Sequence, residues 1–232
     1  MVKFVSNTKH SYSRGRVDNA YYILVNKTEG TQITTSSLNC ILAACARIGL
    51  VDDAFSTFDE FDKKGITPNS DSFAYLLETL WKDLKNLKSK PTTKRNEMRQ
   101  EDVNSNEEAS PFKIPGSQLE AAEAILSMMK EQEIEHSPQT LHPYIGILNY
   151  FSQVEKAKEC IIDAVAKKNM NIQLQTFEDM AMRYIRMGDA ASANEVCDLM
   201  NKFANTTIKR DVVPLHLREE IEKLAKNEKQ SK

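Results

Sequence analysis

The sequence predicts an all-α solenoid of stacked antiparallel helix pairs, on three observations. A small residue followed five positions later by alanine recurs at Gly15/Ala20, Gly49/Ala54, Ser117/Ala122, Ser152/Ala157 and Gly188/Ala193. Successive alanines lie 34, 68, 35 and 36 residues apart, a helix-turn-helix period with one interval lengthened by extra sequence. Apolar residues flank these pairs at i, i+3, i+4, i+7, the spacing of a helix with one buried face.

The elements follow in order. First-helix stripes are Leu38, Ile41, Leu42, Cys45; Phe73, Leu76, Leu77, Leu80; Leu141, Tyr144, Ile145, Leu148; and Phe177, Met180, Ala181, Tyr184. Second-helix stripes start at each alanine: Ala54, Thr57, Phe58, Phe61; Ala122, Ile125, Leu126, Met129; Ala157, Cys160, Ile161, Ala164; and Ala193, Val196, Cys197, Met200. Gly49 and Gly188 can end a helix in the left-handed conformation and reverse the chain. Alanine permits close helix approach, and Asp52, Asp53 and Glu155 fall in the first turn of a second helix, where the macrodipole favours them. Gly65 and Pro68 stop one pair and start the next. One pair cannot bury both faces alone, so about five units must stack.

Residues 85–116 break the period. They hold almost no large apolar residues, carry Lys85, Lys88, Lys90, Lys94, Arg95 and Arg99 early and Glu101, Asp102, Glu107 and Glu108 later, and end in Pro111 and Pro115. This composition predicts a disordered insertion between the two helices of one repeat. The organisation expected is therefore helix pairs over 1–84, the charged insertion over 85–116, helix pairs over 117–210, and over 211–232 a capping helix with Leu215, Leu217, Ile221 and Leu224 before a frayed tail.

At 232 residues and 41% hydrophobic content the chain can bury a substantial core. A net charge of −2 and a pI near 6.1 advertise no broad affinity for nucleic acid or acidic membranes, so any nucleic-acid contact must be local. Cys40, Cys45, Cys160 and Cys197 show neither metal or redox spacing nor disulfide-scaffold density; they fall on or beside apolar stripes as small hydrophobes. No apolar run reaches membrane-span length. Residues 1–16 lack the apolar core of a secretory signal and make a poor transit peptide, because repeat pattern starts almost at Met1. Phosphate-cradling glycine loops, metal-ligand pairs and nucleophile-base sets are missing from the sequence, so neither enzyme activity nor a cofactor is expected.

The stretch Ser37-Leu38-Asn39-Cys40-Ile41-Leu42, then Arg47-Ile48-Gly49-Leu50-Val51-Asp52-Asp53-Ala54 and Phe58, closing with Lys63-Lys64-Gly65-Ile66-Thr67-Pro68-Asn69, resembles a nearly complete pentatricopeptide repeat. Tetratricopeptide repeats compete in length, but usually carry a small residue inside the first helix where this chain has Leu42, Leu77, Ile145 and Ala181, and they lack the Gly-Ile-x-Pro-Asn ending. The resemblance implies a right-handed superhelix and a nuclear-encoded organellar RNA binder, here mitochondrial, in which one repeat contacts one base of a single strand.

By resemblance, the base readers are an early polar residue of the first helix and the last residue of the repeat, which fall on Asn39 and Asn69, a pairing similar to one associated with pyrimidines. The other early positions are Val5, Ala74, His142 and Glu178, and Ser137 ends the repeat that holds the insertion. Valine and alanine cannot hydrogen-bond a base and glutamate repels phosphate, so one unit is legible. The expected RNA-binding residues are Asn39, Asn69, Ser137, His142, Lys85, Lys88, Lys90, Lys94, Arg95 and Arg99. Against them stand plainer readings: Asn39 as a solvated helix residue, His142 as an exposed or stacking side chain, the basic run as a solvated linker. Partners implied are single-stranded or ribosomal RNA and the proteins of a ribonucleoprotein or organellar ribosome, with no membrane and no small-molecule substrate. A protein-interaction scaffold without RNA is the alternative, since concave solenoid faces also take peptides and helices.

Overall fold

The computed structural model describes residues 14–26, 33–89, 115–168, 170, 172–204 and 212–230, and the regular structure of these residues is entirely helical. The helices are α1 (Arg14–Asn26), α2 (Thr35–Ile48), α3 (Val51–Lys63), α4 (Ser70–Ser89), α5 (Pro115–Glu131), α6 (Pro138–Tyr150), α7 (Val154–Lys168), α8 (Leu174–Met187), α9 (Ala190–Ala204) and α10 (Leu215–Gln230). First helices of the pairs, here A helices, are α2, α4, α6 and α8; second or B helices are α1, α3, α5, α7 and α9. The chain divides into two compact units, Met1–Ile147 and Leu148–Lys232, so α6 carries the division within it.

In the first unit α2 packs against α1, α3 and α4, and α4 against α3 and α5. Every first-helix stripe position predicted in α2 and α4 is buried, and Phe61, Ala54, Ala122, Ile125 and Met129 complete the core from the B helices. Phe58 bridges two pairs, its ring centroid 5.5 Å from Phe61 and 5.2 Å from Phe73. The buried Glu60 accepts from Tyr21 Oη at 3.3 Å and Lys63 Nζ at 3.0 Å, tying α1 to α3 and answering its charge. In the second unit α8 packs against α7, α9 and α10. There Tyr184 donates to Glu155 at 2.7 Å, and burial first, then that carboxylate, pushes its hydroxyl pKa up.

Five helices end alike, with a left-handed residue followed by a backbone N–H reaching back five residues. Leu50 N donates to Cys45 O after Gly49 (φ 86°), Ile66 N to Phe61 O after Gly65 (φ 64°), and Ile134 N to Met129 O after Glu133 (φ 55°). Gln153 N donates to Leu148 O after Ser152 (φ 62°), and Asp189 N to Tyr184 O after Gly188 (φ 81°). These bonds satisfy carbonyls that a helix end leaves open, and set the tight reversals. Gly49 and Gly188 thus act as the sequence predicts, whereas Gly15 and Ser117 lie inside α1 and α5 and end nothing.

One expectation needs correction. Residues 85–89 belong to α4, because Leu84 continues the Phe73, Leu77, Leu80 stripe one turn further and is fully buried, and the next helix already starts at Pro115. The rest of the expected insertion, 90–114, lies outside the described residues. In α10, Leu217 and Ile221 are buried, but Leu215 is 71% exposed, because it opens the helix two residues ahead of the buried stripe. The outer face carries the pairs Lys223–Glu220 and Lys226–Glu222, which suits a capping role.

Gly49→Ala and Gly188→Ala separate backbone strain from crowding. A Cβ at Gly188 meets open space, but at Gly49 it comes within 3.0 Å of Asp83 N and Asn86 Nδ2. Urea denaturation should show a loss of about 1 kcal/mol for Gly188→Ala and of about 2 kcal/mol or more for Gly49→Ala.

Asp189 caps α9, accepting from Ser192 N at 2.9 Å; hydrogen bonding from the Ser192 side chain first, then from that N–H, holds its pKa below the ordinary carboxylate value. A lowered folded pKa gives stability that is present above the unfolded pKa and lost as pH falls through the folded one. The stability gap between wild type and Asp189→Ala should be full at pH 7 and close progressively below about pH 4. A gap independent of pH would refute the charged cap.

Candidate nucleic-acid interface

A helices begin on one shared local pattern. The residues preceding α2, α4, α6 and α8 are Thr34, Asn69, Ser137 and Gln173, and three positions further on stands a hydroxyl: Ser37, Ser72, Thr140 and Thr176. In each, the N–H of the third residue donates to the carbonyl of the capping residue, at 2.9 to 3.0 Å. At three of them side chains join: Ser37 N to Thr34 Oγ1 at 3.3 Å, Ser72 N to Asn69 Oδ1 at 3.1 Å, and Thr140 N to Ser137 Oγ at 3.3 Å. A side-chain oxygen that satisfies an orphan N–H fixes where the helix starts, and hence which residues face outward.

Asn39 sits five residues after Thr34 on α2, 9% exposed, and its Nδ2 donates to Asn69 Oδ1 at 3.0 Å. Ser72 Oγ donates to Asn39 Oδ1 at 2.7 Å, and Asn69 N donates to Ser72 Oγ at 3.1 Å. The orientation of both amides follows by elimination. Ser72 N–H can only donate, so the Asn69 atom facing it is the oxygen; the atom of Asn39 facing that oxygen must then be its NH₂. The Asn39 carbonyl accepts from Ser72, one of the two bonds an amide oxygen can take. The exposed Asn69 keeps its NH₂, and Asn39 Nδ2 keeps a second hydrogen. The structure thus joins the two residues that the sequence singled out.

The remaining predicted site residues are placed differently. Ser137 caps α6, exchanging bonds with Thr140 (N to Oγ1 at 2.9 Å, Thr140 Oγ1 to Ser137 O at 2.8 Å), and the A helix before it carries the buried Ala74 in Asn39's register, so this repeat has no second amide. His142 is half-buried in the same register of α6, and Glu178 half-buried in that of α8. Lys85 is exposed on α4 with Nζ 4.5 Å from the Trp81 ring centroid. The Trp81 ring also lies against Gly146, where a Cβ would fall 2.5 Å from Cε2. That packing makes it a scaffold for Lys85 and leaves no open face on which a base could stack. Lys88 is on α4, its side chain outside the described residues, as are Lys90, Lys94, Arg95 and Arg99 entirely.

Sequence reasoning missed a second row. Eight residues after each early position stand Arg47, Lys82, Tyr150 and Arg186, basic in three of four A helices. Positions i, i+4 and i+8 share a helix face, so each cation lies about 12 Å along the axis from its reader position. Arg47 and Arg186 are exposed and Lys82 half-buried. Helix C-termini favour cations on their own account, so this placement also serves α2 and α8. Between the rows Glu78 is exposed on α4, and burial first, then Asp71 and Glu78, raises the Tyr75 pKa. Burial pushes the Cys45 thiol to about 12 and raises Cys160 and Cys197, which keeps these thiols protonated at neutral pH. Among the described residues no three His, Cys, Asp or Glu side chains gather as a metal site, and no helix is long and apolar enough to cross a membrane.

Residues 34–82 match the PPR repeat family. In solved structures, the PPR domain of Arabidopsis thaliana protein-only RNase P 1, in complex with tRNA, is similar over 91% of this chain and 91% of that one, with a TM-score of 0.60 at 14% identity. The pentatricopeptide repeat protein PPR10 from maize aligns with 95% of this chain and 32% of its own, at 14% identity and a TM-score of 0.38. No curated protein sequence matches the chain. Residues 34–82 therefore hold a pentatricopeptide repeat, and the chain has the helix-pair fold of pentatricopeptide repeat arrays.

The Asn69 cap predicts its own stability effect. Asn69→Ala should cost about 1 kcal/mol in urea denaturation, and Asn69→Asp, which keeps an acceptor for Ser72 N, should cost less. Equal losses in the two variants would show that the cap is not what Asn69 contributes.

Proposed function

We propose that this chain binds single-stranded RNA along the A-helix face of its first unit, with bases toward the N-terminal ends of the A helices and phosphates toward the row of Arg47 and Lys82. The observation that carries this reading is the Asn39–Asn69 pair, whose carbonyls are both engaged internally while N–H donors remain. The N–H donors suit the acceptors of a pyrimidine edge: cytosine sets N3 and O2 side by side, and uracil offers O2 and O4. The tRNA-bound RNase P domain of similar fold supports RNA as the ligand class.

One legible repeat and a net charge of −2 argue against long sequence-specific reading by this chain alone. A mitochondrial ribonucleoprotein or ribosome component, held partly by protein contacts and carrying no catalytic function, accords with that economy and with the family resemblance. Protein contact is favoured in the second unit. There α8 carries Glu178 in the reader register, with Leu174 41% and Met187 52% exposed at its two ends, a surface better suited to a protein than to a polyanion.

Filter binding of the full chain to single-stranded RNA over a salt series tests the reading. Arg47→Gln and Lys82→Gln should weaken binding to all sequences and flatten the slope of log K against log salt by about 0.7 each. Asn39→Ala should weaken binding to pyrimidine-rich RNA by about fivefold and leave the slope intact. Absence of binding even at low salt would overturn the proposal.

A further inference from the structure

Two B helices of the first unit, α3 and α5, end in matching turns. After Gly65 the N–H of Ile66 donates to Phe61 O at 2.7 Å, and after Glu133 the N–H of Ile134 donates to Met129 O at 2.8 Å. Each turn sets an isoleucine at the same point of two successive repeats, where an apolar residue ordinarily packs back on its own helix. Here both isoleucines stay half-buried, and a cleft of about 340 Å³ opens against them, lined chiefly by Phe61, Asp62, Ile66, Pro68, Gln132 and Ile134. Gly65 adds no bulk to it, since even a Cβ there would meet nothing within 4 Å.

The charges about the cleft are mostly of one sign. Asp62 lines it, and Glu131, Glu133 and Glu135 stand exposed next to Gln132 and Ile134 in the chain. Against them are the exposed Lys64 and Lys130, and Lys63, whose Nζ is paired with Glu60 at 3.0 Å. An apolar hollow with an acidic rim repels phosphate and fits an apolar anchor carried among cations. We propose that this cleft is a docking site for a protein partner, taking one or two apolar side chains of a segment that bears Lys or Arg on either side. The assignment does not rest on RNA binding. Thr67 and Pro68 border the cleft and lead directly into Asn69, so the docking site and the amide pair adjoin but share no residue.

The test is methyl NMR of the full chain, read at Ile66 and Ile134 while the peptide Lys-Arg-Leu-Arg-Lys is added to millimolar concentration. Control peptides replace the leucine by serine, or the four cations by glutamate. The leucine peptide should shift both methyls saturably and leave Ile125, buried in the core on α5, in place, and each control should bind about fivefold more weakly or less. Asp62→Lys should weaken the leucine peptide about threefold, and Ile134→Ala, read at Ile66, about fivefold. Thermal melting of each variant confirms that it is folded. No shift with the leucine peptide, or equal shifts with either control, would overturn the proposal. So would methyl shifts that follow protein concentration without peptide, which give the cleft to a second copy of the chain, or shifts caused by poly(U) and not by the leucine peptide, which give it to RNA.

Discussion

The hydrogen bonding at the start of each A helix is the constraint on which the rest of the structure depends. A helix leaves its first N–H groups without partners, and here they are answered by a capping residue together with a hydroxyl three positions in. The cap fixes the helix origin. A fixed origin sets the fifth residue and the thirteenth on one side of the helix, while Leu38, Ile41, Leu42 and Cys45, or Phe73, Leu76, Leu77 and Leu80, turn into the core. Shifting the origin by one residue would rotate all of these together by about 100° and exchange core for surface.

The same cap joins folding to function. In the first repeat the residue that starts α4, Asn69, is also the one that meets Asn39 of the preceding A helix, so the joint between two repeats is a polar cluster at their shared edge. Where the residue in register is Ala74 the cap survives around Ser137 and Thr140 without a second amide beside it. The second unit keeps the capping geometry, with Thr176 N donating to Gln173 O, but carries a carboxylate in the reader register. A repeat can thus keep its architecture and lose its chemistry.

Much of the fold was legible from spacing. Ala54, Ala122, Ala157 and Ala193 proved to be fully buried, with Ala20 half-buried, and the apolar stripes of the A helices are core throughout, because periodicity reports burial directly. Helix ends were less legible. Glu133 and Ser152 take the left-handed turn that glycine takes at Gly49, and tertiary packing imposes it where local preference would not. The end of α4 was hidden because the polar residues after Leu84 resemble a linker in composition, and a single buried leucine was enough to extend the helix. At the site, Asn39 and Asn69 came from family resemblance, but the role of Ser72 could not be read from sequence: a serine three residues after an asparagine signals a cap, and only the fold shows that its hydroxyl turns to the amide of another helix.

The central claim is that RNA meets the first unit at the Asn39–Asn69 pair, and side-chain amide NMR of the full chain tests it most directly. Titration with a single-stranded pyrimidine-rich RNA should shift the NH₂ signals of Asn39 and Asn69 together, while Gln118, whose NH₂ is engaged by Asp83 in the core, stays in place. Binding with both asparagine signals unmoved would contradict the account and move the RNA site elsewhere on the chain.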